Sequence, residues 1–106
     1  MVNSEDLDRI ANGEVNTQPI SFELQQAYPN PFNPITAISF EIANKSLVEI
    51  SIIDLKGQVV TKLISEEKLP GHYSTKWDAK DISSGTYLIH MKTPNFSASQ
   101  KINLVK

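Results

Sequence analysis

The sequence predicts an all-β fold, an antiparallel sandwich or barrel of about seven strands. Three observations carry this. Apolar residues recur with a period of two in run after run, the spacing of half-buried strands. Clusters of Gly, Pro, Asn and Asp separate the runs at intervals of about ten residues, which favours an antiparallel meander over alternating strands and helices. No stretch carries a helical period: "SEEKL" is too short and lies beside Pro70.

The bulk properties narrow the field before any motif is considered. A chain of 106 residues is one domain, large enough to bury ~65% of its unfolded surface around a single core. Without cysteine it has no disulfide, thiolate metal site or cysteine nucleophile. A net charge of −2 with lysines and carboxylates interspersed leaves no basic stripe for nucleic acid. No apolar run approaches the roughly 18 residues of a membrane span. The first residues, "MVNSEDLDRIANGEVNTQ", are polar and acidic, the opposite of a secretory leader, so an export signal would lie on upstream sequence.

Residues 1–18 hold Leu7, Ile10 and Val15 in poor register and break at Asn12-Gly13; they are expected to be a flexible linker, leaving 19–106 as the folded domain. Strands are expected near 20–25, 36–42, 47–54, 58–64, 72–77, 86–92 and 98–105. In "TAISFEI", Ile38, Phe40 and Ile42 share one face; in "LVEISIIDL", Val48, Ile50 and Ile52 do. Tyr73, Thr75 and Trp77 align in "YSTKW", Tyr87, Ile89 and Met91 in "TYLIHMK", and Ile102 and Leu104 in the last run. The side-by-side Ile52 and Ile53 mark either a bulge or the approach to a tight hairpin. The hairpin is preferred, because Lys56-Gly57 supplies the positive φ it needs.

A collar, "YPNPFNP" (28–34), precedes the second run. Residues before proline are pushed to extended geometry, and Pro29, Pro31 and Pro34 cannot donate to a ladder, so this is not a central strand. It is expected to cross one end of the sandwich, with Tyr28 and Phe32 tucked against the core as plugs.

Motifs that carry chemistry are scarce. His72 and His90 fall on different predicted strands, no Gly-x-Ser-x-Gly, His-x-x-x-His or phosphate-binding loop is present, and the turn aspartates serve their own backbones. No catalytic residue, metal ligand or cofactor is expected. "PFNP" matches a Pro-x-x-Pro ligand, yet Asn-Pro steps initiate turns. "NKS" and "NFS" match glycosylation acceptors at chance level. Trp77, Tyr73 and Tyr87 would suit a sugar-stacking platform, but each shares parity with apolar neighbours and is expected in the core.

Taken in order, "AYPNPFNP" with "ITAISFEI", "VEISIIDLKGQVV", "LPGHYSTKWDAKDISSGTYLIHM" and "SQKINLVK" resemble the type A C-terminal sorting domain of type IX secretion substrates, over about residues 24–106. Each piece alone is a weak signature; the ordered set is specific. The same elements look like the immunoglobulin-like domain of flagellar hook-assembly proteins, which sharpens the expected fold to an immunoglobulin-like β-sandwich.

The resemblance implies a non-catalytic label at the end of a secreted or surface-attached cargo, an enzyme or adhesin. The cargo passes the periplasm, an outer-membrane translocon reads the label, and a surface sortase cleaves ahead of it. Within this pattern the expected recognition element is the terminal strand, Lys101, Ile102, Asn103, Leu104, Val105 and Lys106, read by edge pairing and a charged end. The structural motif residues are Tyr28, Pro29, Asn30, Pro31, Phe32, Asn33 and Pro34 in the collar, then Asp54, Gly57, Gln58, Gly71, Trp77, Asp78, Gly85 and Tyr87. Neither nucleic acid nor a transmembrane segment is expected; a weak homodimer through an open edge strand stays open. The rival function is a carbohydrate-binding β-sandwich module on a secreted glycanase.

Overall fold

More buried and less buried side chains alternate along the strands Ile35–Ile42, Gly71–Asp78 and Phe96–Leu104 of the computed structural model, which describes residues 21–106. The expected linker over 1–18 lies outside the described residues. The seven strands are β1 (Glu23–Leu24), β2 (Ile35–Ile42), β3 (Ser46–Ile53), β4 (Val59–Lys68), β5 (Gly71–Asp78), β6 (Gly85–Thr93) and β7 (Phe96–Leu104). They form two antiparallel sheets, ordered β1-β2-β5 and β4-β3-β6-β7. No helix occurs among the described residues, and none there is long and apolar enough to cross a membrane.

The expected inward faces are those that meet in the core. Ile38, Phe40 and Ile42 of β2 lie against Val48, Ile50 and Ile52 of β3, Ile89 and Met91 of β6, and Ile102 and Leu104 of β7. Removing each large aliphatic side chain from water contributes on the order of 2 kcal/mol. Thr36 is the polar exception on the inner face of β2, and its hydroxyl donates to Pro29 O at 2.8 Å.

The Ile52-Ile53 question resolves into a hairpin. Asp54 Oδ1 accepts from the Lys56 and Gln58 amides, both at 2.9 Å, and Gly57 takes φ +86°. The register of β4 against β3 also shifts, between Ile50 and Ser51 and again between Ile52 and Ile53. β4 then continues to Lys68, through "SEEK", which lacks the apolar period of a strand. Pairing of Glu66, Glu67 and Lys68 with Val48, Leu47 and Ser46 keeps it extended. Charge and register irregularity are both features that blunt an edge strand against unwanted pairing.

Three sequence expectations change. β1 spans two residues; beyond it the chain keeps only scattered bonds to β2, from the Gln25 amide to Ser39 O and between Tyr28 and Ala37. The collar does not cross an end of the sandwich; it runs along its side, between β2 and β7. Tyr28 is no plug. Its backbone pairs with Ala37 while its ring stands 80% exposed, because antiparallel pairing there turns alternate side chains outward. Phe32 is buried as expected.

Candidate functional site: the collar and the terminal strand

The collar stitches the two sheets together. At its start the Tyr28 amide donates to Ala37 O at 3.0 Å and the Ala37 amide returns to Tyr28 O at 2.9 Å, which ties it to the small sheet. Four residues on, the Phe32 amide donates to Asn103 O and the Val105 amide to Phe32 O, both at 3.0 Å, a parallel bridge to β7 in the other sheet. The Xaa-Pro bonds at Pro29, Pro31 and Pro34 are cis.

Between these anchors prolines leave the collar short of N–H donors, and a carboxamide side chain fills the gap; a second one bonds the segment just ahead of the collar. Asn30 acts from the collar. Its Nδ2 donates to Lys101 O at 3.2 Å, and its Oδ1 accepts from the Asn103 amide at 3.0 Å. Gln100 acts from β7 in the opposite sense. Its Oε1 accepts from the Ala27 amide at 2.8 Å, and its Nε2 donates to Gln25 O. A side chain thus stands in for the main chain on each side of the seam. The edge of β7 from Gln100 to Val105 is therefore occupied by the protein's own collar.

Beneath the seam the aromatic residues interlock. Phe32 packs on Trp77 with ring centroids 5.3 Å apart, and Trp77 meets the edge of Tyr87 at 5.7 Å. Trp77 is 3% exposed. Tyr73 stacks on Phe40 at 5.4 Å. Both tyrosines use their hydroxyls locally: Tyr73 donates to Leu69 O and Tyr87 to Ser83 O, each at 2.6 Å and each four residues back. In both, a glycine two residues earlier, Gly71 or Gly85, lies under the ring. A sugar-stacking face on these aromatics has no exposed surface to work with at Trp77.

Of the tail residues, Ile102 and Leu104 point into the core, and Asn103 pairs with Thr86, whose hydroxyl donates to Asn103 Oδ1 at 2.9 Å. Lys101, Val105 and Lys106 are exposed. Lys106 is held at both ends: its amide donates to Ser84 Oγ at 3.1 Å and its Nζ to Lys80 O at 2.7 Å. Asp78 Oδ1 accepts from the Lys80 amide at 3.1 Å and so shapes the loop that receives Lys106. Gln58 closes the 54–58 turn through its amide and carbonyl, while the exposed Asn33 leads into Pro34, whose carbonyl accepts from the Ala79 amide.

The remaining titratable residues do not converge. His72 Nδ1 lies 2.9 Å from Glu41 Oε1 on the small sheet, whereas His90 lies in the other sheet. The described residues hold no group of three His, Cys, Asp or Glu side chains fit for a metal ion.

Sequence reasoning gathered the collar and the tail as separate motifs and did not foresee that they bond to each other. It also passed over Gln100, whose only signal was an uncharged amide on the inward parity of an otherwise apolar strand. The paired Gly-x-Tyr segments, 71–73 and 85–87, are a local repeat that it did not single out.

The described residues thus form an all-β domain whose proline collar and terminal strand are laced together. Comparison with known families is specific: the chain matches the secretion system C-terminal sorting domain over residues 26–105 and belongs to that family. A search of curated proteins finds no match. The family's domains are non-catalytic sorting signals of type IX secretion, carried as the tail of a secreted or cell-surface cargo that associates with the type IX machinery.

Proposed function

We propose that this domain is the address by which its cargo leaves the periplasm through the type IX outer-membrane translocon, and that residues 101–106 are the part of the address that is read. The carrying observation is the lacing of the collar to β7. Because main-chain groups from Lys101 to Val105 are bonded to Asn30 and Phe32, reading the tail in the folded domain falls to its exposed side chains, Lys101, Val105 and Lys106. A surface sortase then cleaves ahead of the folded domain and releases the cargo or attaches it to the cell surface. The signal that first takes the cargo to the periplasm belongs to upstream sequence.

The polarity of the fold supports this reading. The described chain begins beside Glu41 and Phe40, near one end of β2, while the terminus lies beside the other end, next to Pro34 and Ala79. Six residues of strand separate the two, about 20 Å at the usual rise. The described chain therefore enters the fold at the pole opposite the tail.

The test is a fluorescent reporter bearing a periplasmic export signal and ending in this chain, expressed in a bacterium with type IX secretion and in a strain lacking its translocon. The expected result is extracellular reporter only in the first strain, with a new carboxyl terminus, found by intact mass, ahead of residue 26. Folded reporter retained in the periplasm of both strains would overturn the reading.

A further inference from the structure

The solvent face of the four-stranded sheet carries an anomaly. The outward face of a two-sheet sandwich is normally polar, and most of this one is. One ladder position holds Lys62, Ser51, His90 and Ser99 across β4, β3, β6 and β7; another holds Ser65, Glu49, Lys92 and Ser97. Next to them, at the end closest to the chain terminus, the row reads Val59, Ile53, Leu88, Lys101. These side chains point outward, since Ile52, Ile89 and Ile102, their sequence neighbours, are fully buried. Val59 is 60% exposed, Ile53 and Leu88 are half-buried, and Leu55 extends the apolar surface into the adjoining turn. Four strands at the normal spacing make this stripe about 14 Å wide.

Lys45, Lys62 and Lys68 each meet a glutamate, at 3.2, 3.8 and 2.7 Å. Lys56, beside Leu55, and Lys101, at the end of the stripe, meet no carboxylate within 4.0 Å among the described residues, and neither does Lys92 in the polar row. The nearest acidic turn residue, Asp54, directs its Oδ1 at its own backbone amides.

We propose that this stripe is a docking surface for a protein of the translocation machinery, one that presents aliphatic side chains flanked by carboxylates. The aliphatic groups cover Val59, Ile53 and Leu88, and the carboxylates pair with Lys101 and Lys56. The proposal rests on the sorting function and extends it. The address is then a patch shared by the terminal strand and by β3, β4 and β6, and three of its residues lie far from the tail in sequence. An apolar contact rimmed by otherwise unpaired cations is the usual anatomy of a specific protein interface.

The experiment uses the same reporter fusion with Val59→Thr/Leu88→Thr, which places strand-favouring β-branched residues at both positions, with Lys101→Glu, and with Leu47→Thr as a control. Leu47 is 48% exposed on β3, towards the opposite pole. Each purified domain is first checked by thermal unfolding. The expected result is that the double variant and Lys101→Glu, both folded, lose export by about tenfold or more, the effect of one lost hot-spot contact, while Leu47→Thr exports normally. If the intact fusion is not exported, the sorting function itself fails. If it is exported and the folded stripe variants export equally well, the function stands and the docking surface is overturned. If sedimentation instead finds the intact domain dimeric and the stripe variants monomeric with unchanged export, the stripe joins two copies of this chain and the proposal is wrong. Should the double variant fail to fold, Lys101→Glu, altering one exposed side chain, decides alone.

Discussion

The side-chain oxygen of Asn30 lies 3.0 Å from the amide nitrogen of Asn103, 73 residues along the chain. With Asn30 Nδ2 on Lys101 O, one asparagine satisfies a carbonyl and an amide on one edge of the terminal strand. Gln100 does the same from the other side of the seam. The beginning and the end of the folded unit are thereby closed on each other, which is why a sorting signal can be both terminal and well ordered.

Removing either carboxamide should open that seam. Asn30→Ala and Gln100→Ala are each expected to cost about 1–2 kcal/mol in urea unfolding, since each loses two hydrogen bonds and strands main-chain partners. Asn30→Asp should be no milder than Asn30→Ala, because an oxygen would then face Lys101 O in place of the donor. A loss below a few tenths of a kcal/mol in all three would mean that the collar does not hold the tail.

The 54–58 turn is expected to respond to backbone geometry more than to contacts. At φ +86° Gly57 has open space around its missing Cβ, so Gly57→Ala should lose about 1 kcal/mol from strain alone. Asp54→Ala, which removes the acceptor for two amides, should lose a similar amount. Equal stability of Gly57→Ala and the parent would contradict the positive φ.

The aromatic cluster separates a core from a sugar platform. Trp77→Ala should cost about 3–5 kcal/mol by leaving a cavity between Phe32 and Tyr87. Tyr87→Phe should cost about 1 kcal/mol through the lost bond to Ser83 O. Tyr28→Ser should be nearly silent, because the ring is in solvent. Glycan binding by the parent that vanishes in a folded Trp77→Phe protein would favour the rival carbohydrate module.

Much of this fold was legible because period-two alternation and turn chemistry are local signals. Ile38, Phe40 and Ile42 announce their face, and Asp54 to Gln58 announce their turn. What escaped depends on contacts distant in sequence. Whether the collar crossed an end or ran along a side is settled by Phe32 bridging to Leu104, which no local pattern encodes. The exposure of Tyr28 follows from pairing with Ala37. Polar "SEEK" became strand because β3 offered it a partner, and propensity alone does not foresee that. The tail's proposed part in recognition came from family resemblance, and only the register across four strands reveals its apolar neighbours.

The structure also changes how the tail must be tested. Deleting residues 101–106 removes Ile102 and Leu104 from the core and the partners of Asn30 and Phe32, so unfolding and loss of recognition would be confounded. The cleaner variant is Lys101→Ala/Lys106→Ala, which trims exposed side chains and is expected to shift the unfolding midpoint by less than about 5 °C. The decisive measurement is extracellular reporter from the intact fusion and from this folded double variant, side by side in a bacterium with type IX secretion. The account predicts export of the intact fusion and periplasmic retention of the double variant. Equal export of the two would contradict it, because the exposed lysines of the terminal strand would then not be read.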